Sequence, residues 1–285
     1  MNERMFVTSA GLALHIASAP EGGPPVLLLH GVTRRWQDWL TVLPALAPRW
    51  QAFALDLRGH GKSDRTPGAY RIADYVPDVV DFLRRGLVEP AIVIGHSLGA
   101  NVAASVAAEA PERVRVLVLE DPPLEMAGPR IAETGLLELF PHFLRHAGSD
   151  RPVDEIAAEL AEARVRSWGH AVPVRLGDVR DMVSLRSSAA GLKRLDPGVL
   201  DPPLAGRWLD GSDVAGDLGR IRCPTLLLQA DGLFGGLLPD PHAAEMAALI
   251  HHHVHIKLAG IGHSIHSTAT EAMMRLVLPF LGSIE

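Results

Sequence analysis

The chain has 285 residues, of which 47% are hydrophobic and 21% charged, and its formal net charge is −6. That balance supports a sizeable buried core and argues against wholesale disorder, and the length fits one large α/β unit with or without an insertion. The acidic excess comes without a basic stripe, which argues against nucleic acid or an anionic membrane surface and leaves a small molecule as the expected partner. The lone Cys223 has no internal disulfide partner, and residues 1–22 lack the charged start and apolar run of a signal peptide, so a reducing, cytoplasmic setting is expected. No apolar run approaches the roughly 20 residues needed to span a bilayer, which speaks against a membrane protein. The oligomeric state is left open.

Residues 5–8 and 12–17, joined by a turn at Gly11, read as an antiparallel hairpin. Short runs of Val, Leu and Ile follow at 26–29, 53–57, 91–94, 114–119, 225–228 and 254–258, and read as parallel strands buried on both faces. Helical patterns at 73–87 and 98–110 lie between them, the alternation that a parallel sheet with crossover helices produces. The rhythm breaks over 122–221, where helical patterns near 131–145, 153–168 and 173–188 occur with no convincing strand, ending in a Pro, Gly and Asp-rich stretch at 195–217. The expectation is an α/β core formed by 1–121 and 222–285, with a mostly parallel central sheet, and a helical cap formed by 122–221.

The strongest chemical signal is Gly95-His96-Ser97-Leu98-Gly99, which follows an apolar strand pattern and opens a helix of small residues (Ala100, Ala103, Ala104, Ala107). A serine on so sharp a strand-to-helix turn needs neighbours without Cβ bulk, and its strained backbone lifts the hydroxyl above the sheet edge. The helix N-terminus also favours developing negative charge.

Three further segments appear in order: His30-Gly31 after one strand, Asp56-Leu57-Arg58-Gly59-His60-Gly61-Lys62-Ser63 after the next, and Gly262-His263 near the C-terminus. With the elbow, they resemble the α/β-hydrolase superfamily over 26–119 and 223–281, in its serine-nucleophile, esterase- or lactonase-like branch with a helical cap. The resemblance implies Ser97 as nucleophile, His263 as its general base, and the backbone N–H groups of Val32 and Leu98 as oxyanion hole. His30, Arg58 and His60 are expected to brace loops. His263 follows the turn Ala259-Gly260-Ile261-Gly262 after the last strand pattern, whereas His266 is expected to belong to the start of the last helix. The run His251-His252-His253 with His255 is read as non-metal, because a helix-to-strand junction rarely points consecutive side chains at one ion.

The third member, an acid that orients the imidazole, departs from the commonest pattern of the family. After the penultimate strand the expected acid position is filled by Leu233, and Asp231 stands two residues too early. The other site the family uses lies after the strand following the nucleophile helix, where Glu120-Asp121 stands, so Asp121 is preferred and Asp231 is the alternative. A serine at the elbow argues against the dehalogenase and epoxide-hydrolase branches, whose resemblance depends on a carboxylate nucleophile. The expected activity is hydrolysis of a small carboxylic ester or lactone through an acyl-enzyme, with no cofactor and no metal. Cleavage of an amide or C–C bond in a small carboxylate-bearing metabolite is the nearer alternative, and a ligand receptor on the same fold the more distant one. Arg34, Phe143 and Trp168 are candidate substrate-binding residues; Arg35, Phe140 and Met182 belong to the same group.

Overall fold

The computed structural model describes residues 1–20, 22–124, 131, 135–166 and 172–284. The chain opens with the hairpin β1 (Asn2–Val7) and β2 (Ala13–Ser18), whose turn is closed by Gly11 N–H donating to the Thr8 carbonyl at 2.8 Å. Strands β3 (Pro25–Leu29), β4 (Gln51–Leu55), β5 (Ala91–His96) and β6 (Val114–Glu120) follow, interleaved with α1 (Leu43–Leu46), α2 (Ile72–Asp81) and α3 (Leu98–Glu109). The helix expected at 73–87 is α2 continued by a wider π-type turn, Phe82–Gly86.

Beyond β6 come α4 (Leu136–His146), α5 (Val153–Glu162), β7 (Arg164–Val165), β8 (Val174–Arg175), α6 (Leu176–Val179), α7 (Met182–Leu192), α8 (Asp201–Leu204) and α9 (Val214–Arg220). The chain then returns through β9 (Thr225–Ala230), α10 (Asp240–Leu249), β10 (His253–Leu258), α11 (Ile265–Thr268) and α12 (Thr270–Gly282). The eight-stranded sheet has the order β1-β2-β4-β3-β5-β6-β9-β10, antiparallel only where β2 meets β1 and β4.

Side-chain alternation along the central strands builds a core on each face. Leu27, Leu29, Val93, Leu117 and Leu119 pack with α2 and α3; Val26, Leu28, Ile92, Ile94, Val116 and Val118 pack with Trp36, Trp39, Trp50 and α12. Burial on both faces does not extend to β10, where Leu258 alone is buried. Among the described residues this strand pairs only with β9, and its alternation His253-Val254-His255-Ile256-Lys257-Leu258 is the signature of a sheet edge.

The expectation of no strand within 122–221 is corrected by β7 and β8, which pair antiparallel as a two-residue ladder. The helix expected at 173–188 is divided into β8, α6 and α7, because Asp181 starts a new helix by accepting the Ser184 N–H at 2.8 Å. This α7 lies against the turn that follows β3: a Cβ on its Gly191 would stand 2.1 Å from the Thr33 carbonyl oxygen. No helix among the described residues is long and apolar enough to cross a membrane.

Candidate active site

At the C-terminal ends of β3, β5 and β6 stand Thr33, Ser97 and Asp121, with φ of 65°, 53° and 43°. They are the only non-glycine residues with positive φ among those described. Such conformations cost of order 1–3 kcal/mol each and persist only where the surroundings enforce them. Ser97 joins β5 to α3; its N–H donates to the Glu120 carbonyl at 3.0 Å, and its own carbonyl accepts from Ala100 and Asn101 at 3.0 and 3.1 Å. The turn is this tight because its glycines touch backbone. A Cβ on Gly95 would lie 2.3 Å from the Gly99 carbonyl oxygen, and one on Gly99 2.1 Å from that of Leu29. Leu98 is the first residue of α3, so its N–H has no earlier helical turn to bond to. Across from it, the turn carrying Val32 is closed by the Arg34 N–H on the Gly31 carbonyl at 3.1 Å.

His263 Nδ1 lies 2.7 Å from Asp121 Oδ2. The carboxylate, fully buried, also accepts the Leu237 N–H on Oδ2 at 2.7 Å and the Ala230 N–H on Oδ1 at 3.1 Å. With an acceptor-only partner at Nδ1, a neutral imidazole carries its proton there and presents an unprotonated Nε2. Asp231 does not join this pair. Its exposed carboxylate takes the N–H groups of Gly260 at 2.9 Å and Leu233 at 3.0 Å, which hold it below the usual carboxylate range and brace the turn preceding His263. Leu233, at the position where the family commonly has an acid, is 71% exposed.

A second histidine cluster escaped the sequence reading. His266, expected only as a helix-start residue, is fully buried; its Nδ1 contacts both Glu120 oxygens at 2.9 Å and its Nε2 lies 3.1 Å from Asp38 Oδ2. Burial alone would depress its pKa, but Glu120 and Asp38 raise it to about 10. Glu120, the last residue of β6, and Asp121, the next residue, thus serve different histidines, Glu120 taking His266 and Asp121 taking His263. The ring of His96 lies 4.6 Å from that of His263 and 4.7 Å from that of His266, and its Nε2 donates to the His263 carbonyl at 3.1 Å. Burial, then the two neighbouring histidines, hold His96 neutral. Asp38, His96 and His266 have donor atoms close enough for a shared ion. A charged His266 has both N–H groups committed to carboxylates and no lone pair to offer, so the group reads as an ion-pair brace rather than a metal site. His253 and His255 are likewise occupied, with the Ile250 carbonyl and Gln229 Oε1.

The loop-bracing residues also have defined partners. His30 accepts the Leu57 N–H at 3.1 Å and donates to the Gly31 carbonyl at 2.8 Å. His60, its pKa pushed by burial to about 3, donates to the Arg58 carbonyl, and Arg58 forks onto both oxygens of Asp78.

A cavity of about 380 Å³ opens beside His263, lined also by Arg34, Arg180, Ser184, Leu237 and Ser264. Ser97 is not on its wall and is almost wholly buried. Arg34 is on this wall, whereas Phe143 is not: it is buried with Phe140, ring centroids 6.3 Å apart, off the cavity wall. Its period-3 spacing from Phe140 marks a helix core face rather than a pocket. Arg35 is also off the wall, Met182 is half exposed, and Trp168 lies outside the described residues. Arg180 had no local motif to single it out.

Residues 24–270 match the family described as the alpha/beta hydrolase fold, and the chain belongs to it. It is similar to 2-(acetamidomethylene)succinate hydrolase of Mesorhizobium japonicum, 36% identical over 99 residues that make up 35% of this chain and 36% of that one. It is also similar to epoxide hydrolase B of Mycobacterium tuberculosis, 41% identical over 109 residues covering 36% of this chain and 31% of the relative. The first curated relatives are thus matched over about a third to two-fifths of their length. Over nearly its whole length the fold is like that of an N-formylmaleamic acid deformylase from Pseudomonas putida S16, with TM-score 0.78 and 22% identity over 97% of this chain and 100% of that one.

Proposed function

We propose that the chain is a serine hydrolase that cleaves a small carboxylic ester or lactone through an acyl-enzyme. The observation that carries this reading is the strained Ser97 on the β5–α3 elbow together with His263 held against buried Asp121 at 2.7 Å. In the proposed reaction Ser97 Oγ attacks the acyl carbonyl while His263 Nε2 takes the hydroxyl proton. The imidazolium so formed keeps its Nδ1–H on the Asp121 carboxylate. The N–H groups of Val32 and Leu98 receive the oxyanion, which a water-excluded site makes worth several kcal/mol. His263 then passes the proton to the leaving alcohol, and water, activated by the same base, releases the acid and restores Ser97. No cofactor takes part.

Residues 122–221 are proposed to cover the site as a cap on a core formed by 1–121 and 222–285. The amide alternative uses the same three residues, and the similarity to 2-(acetamidomethylene)succinate hydrolase is what favours it. A panel pairing esters with amides of the same acids separates the two. The test of the common mechanism is Ser97→Ala: kcat on 4-nitrophenyl butyrate drops by several orders of magnitude with the melting curve preserved. Near-normal turnover in this variant removes Ser97 as nucleophile.

A further inference from the structure

Two guanidinium groups share the wall of the His263 cavity, and that of Arg180 has no carboxylate paired with it among the described residues. Arg180 is half-buried, and no carboxylate or carbonyl among the described residues bonds to its side chain. Arg34 is 11% exposed; its one charged partner among the described residues is Asp38, 3.8 Å away, beyond hydrogen-bonding distance and shared with His266. The only carboxylate on the described wall, Asp181, is turned to the Ser184 N–H as the cap of α7. Arg166, also on the wall, is 77% exposed and paired with Glu138 at 2.9 Å. Burial and the charge of Arg34 lower the Arg180 pKa to about 10, so the two arginines repel each other. Partly buried like charges are expensive unless an anion arrives, and the planar fork of Arg matches a carboxylate bidentately.

We propose that Arg34 and Arg180 form an anion subsite that holds a carboxylate of the substrate while His263 serves the scissile carbonyl, so that the enzyme acts on small carboxylate-bearing acyl compounds. This deepens the hydrolase reading and rests on it for the word substrate, but the subsite is testable without turnover. A cavity of about 380 Å³ sets the scale: a short dicarboxylic half-ester or half-lactone fits, a long acyl chain does not. The backbone of Arg34 closes the Val32 turn, which ties one arm of the subsite to the proposed oxyanion hole. The other arm, Arg180, follows α6 and so belongs to the proposed cap, giving a bound carboxylate a reason to draw cap and core together.

The experiment has a binding arm and a turnover arm. In the binding arm, succinate, maleate and butyrate are titrated by calorimetry into the wild type, Arg180→Gln and Arg34→Gln. The dicarboxylates are expected to bind the wild type and to lose at least about tenfold in affinity in either variant, as loss of one charge-assisted partner implies. In the turnover arm, kcat/KM for monoethyl succinate relative to ethyl butyrate is compared in the same proteins, and the ratio is expected to fall by at least about tenfold in each variant. If Arg34→Gln fails to fold, Arg180→Gln decides alone. Dicarboxylate affinity that is absent, or unchanged in Arg180→Gln, overturns the subsite even if Ser97 hydrolyses neutral esters. Dicarboxylate binding that depends on Arg180 in a protein that cleaves no ester or amide leaves the subsite standing and overturns the hydrolase reading instead.

Discussion

Replacing Asp121 by Asn removes one charge and changes almost no volume, so its effects can be worked out from the contacts. All three partners of the carboxylate are donors: Ala230 N on Oδ1, and Leu237 N and His263 Nδ1 on Oδ2. An amide turned with its NH2 toward Oδ2 faces two donors, while the opposite orientation faces one. The second is favoured; it leaves the Ala230 N–H unpaired, which costs about 1–3 kcal/mol of stability and lowers the melting temperature by roughly 2–10 °C. His263 then still donates to a carbonyl oxygen, but the imidazolium formed during attack has lost its counter-charge. At about 4 Å between charge centres and an effective dielectric of about 20, that charge is worth about 4 kcal/mol, or roughly three decades of rate. A triad in which the same swap also forces the wrong tautomer loses about 10⁴-fold. The expected fall in kcat on 4-nitrophenyl butyrate is therefore about 10³- to 10⁴-fold, measured beside a thermal melt. Asp231→Asn, whose exposed carboxylate only braces the Gly260 turn, should stay within about threefold of wild type. A tenfold or smaller loss in Asp121→Asn together with collapse in Asp231→Asn would refute the reasoning.

Other consequences can be checked on the same protein. His266 keeps its proton to about pH 10 when folded, against about 6.5 for a solvated histidine, so its stabilising contribution is complete below about pH 6.5 and is lost as pH rises toward 10. The melting temperature should fall across that window, and fall less steeply in His266→Gln; parallel curves count against a charged His266. Glu120→Gln breaks the same buried pair and should cost about 3–5 kcal/mol by denaturant unfolding, whereas a loss under 1 kcal/mol would mean that the pair is dispensable. Gly99→Ala places a Cβ against the Leu29 and His30 carbonyl oxygens and should cost at least about 3 kcal/mol or prevent folding; a normal melt contradicts the close approach.

The elbow was legible because several local demands coincide in five residues: an apolar strand, two glycines where backbones touch, and a helix of small residues. Asp121 was legible by displacement, since a leucine at 233 sent the search for an acid to the end of β6. What depended on distant partners was not. The exposure of β10 follows from its having one neighbour, although its alternating His, Val, His, Ile, Lys, Leu carried the signal. His266 reads as a helix-start residue until the fold brings Glu120 and Asp38 to its two nitrogens from far along the chain. Arg180 is one arginine among many in a polar stretch, and only the fold sets it on the same wall as Arg34. Phe143 failed in the opposite sense: an aromatic in an insertion looks like a pocket residue, yet helical spacing from Phe140 turns it into the core.

The proposal stands or falls on whether Ser97 becomes covalently modified with His263 as its base. The most direct measurement is reaction with a fluorophosphonate, followed by intact mass and peptide mapping, in the wild type, Ser97→Ala and His263→Ala. One adduct per chain on Ser97, absent from Ser97→Ala and formed orders of magnitude more slowly in His263→Ala, is the predicted result. An adduct on another residue, formed at an undiminished rate in Ser97→Ala, would contradict it.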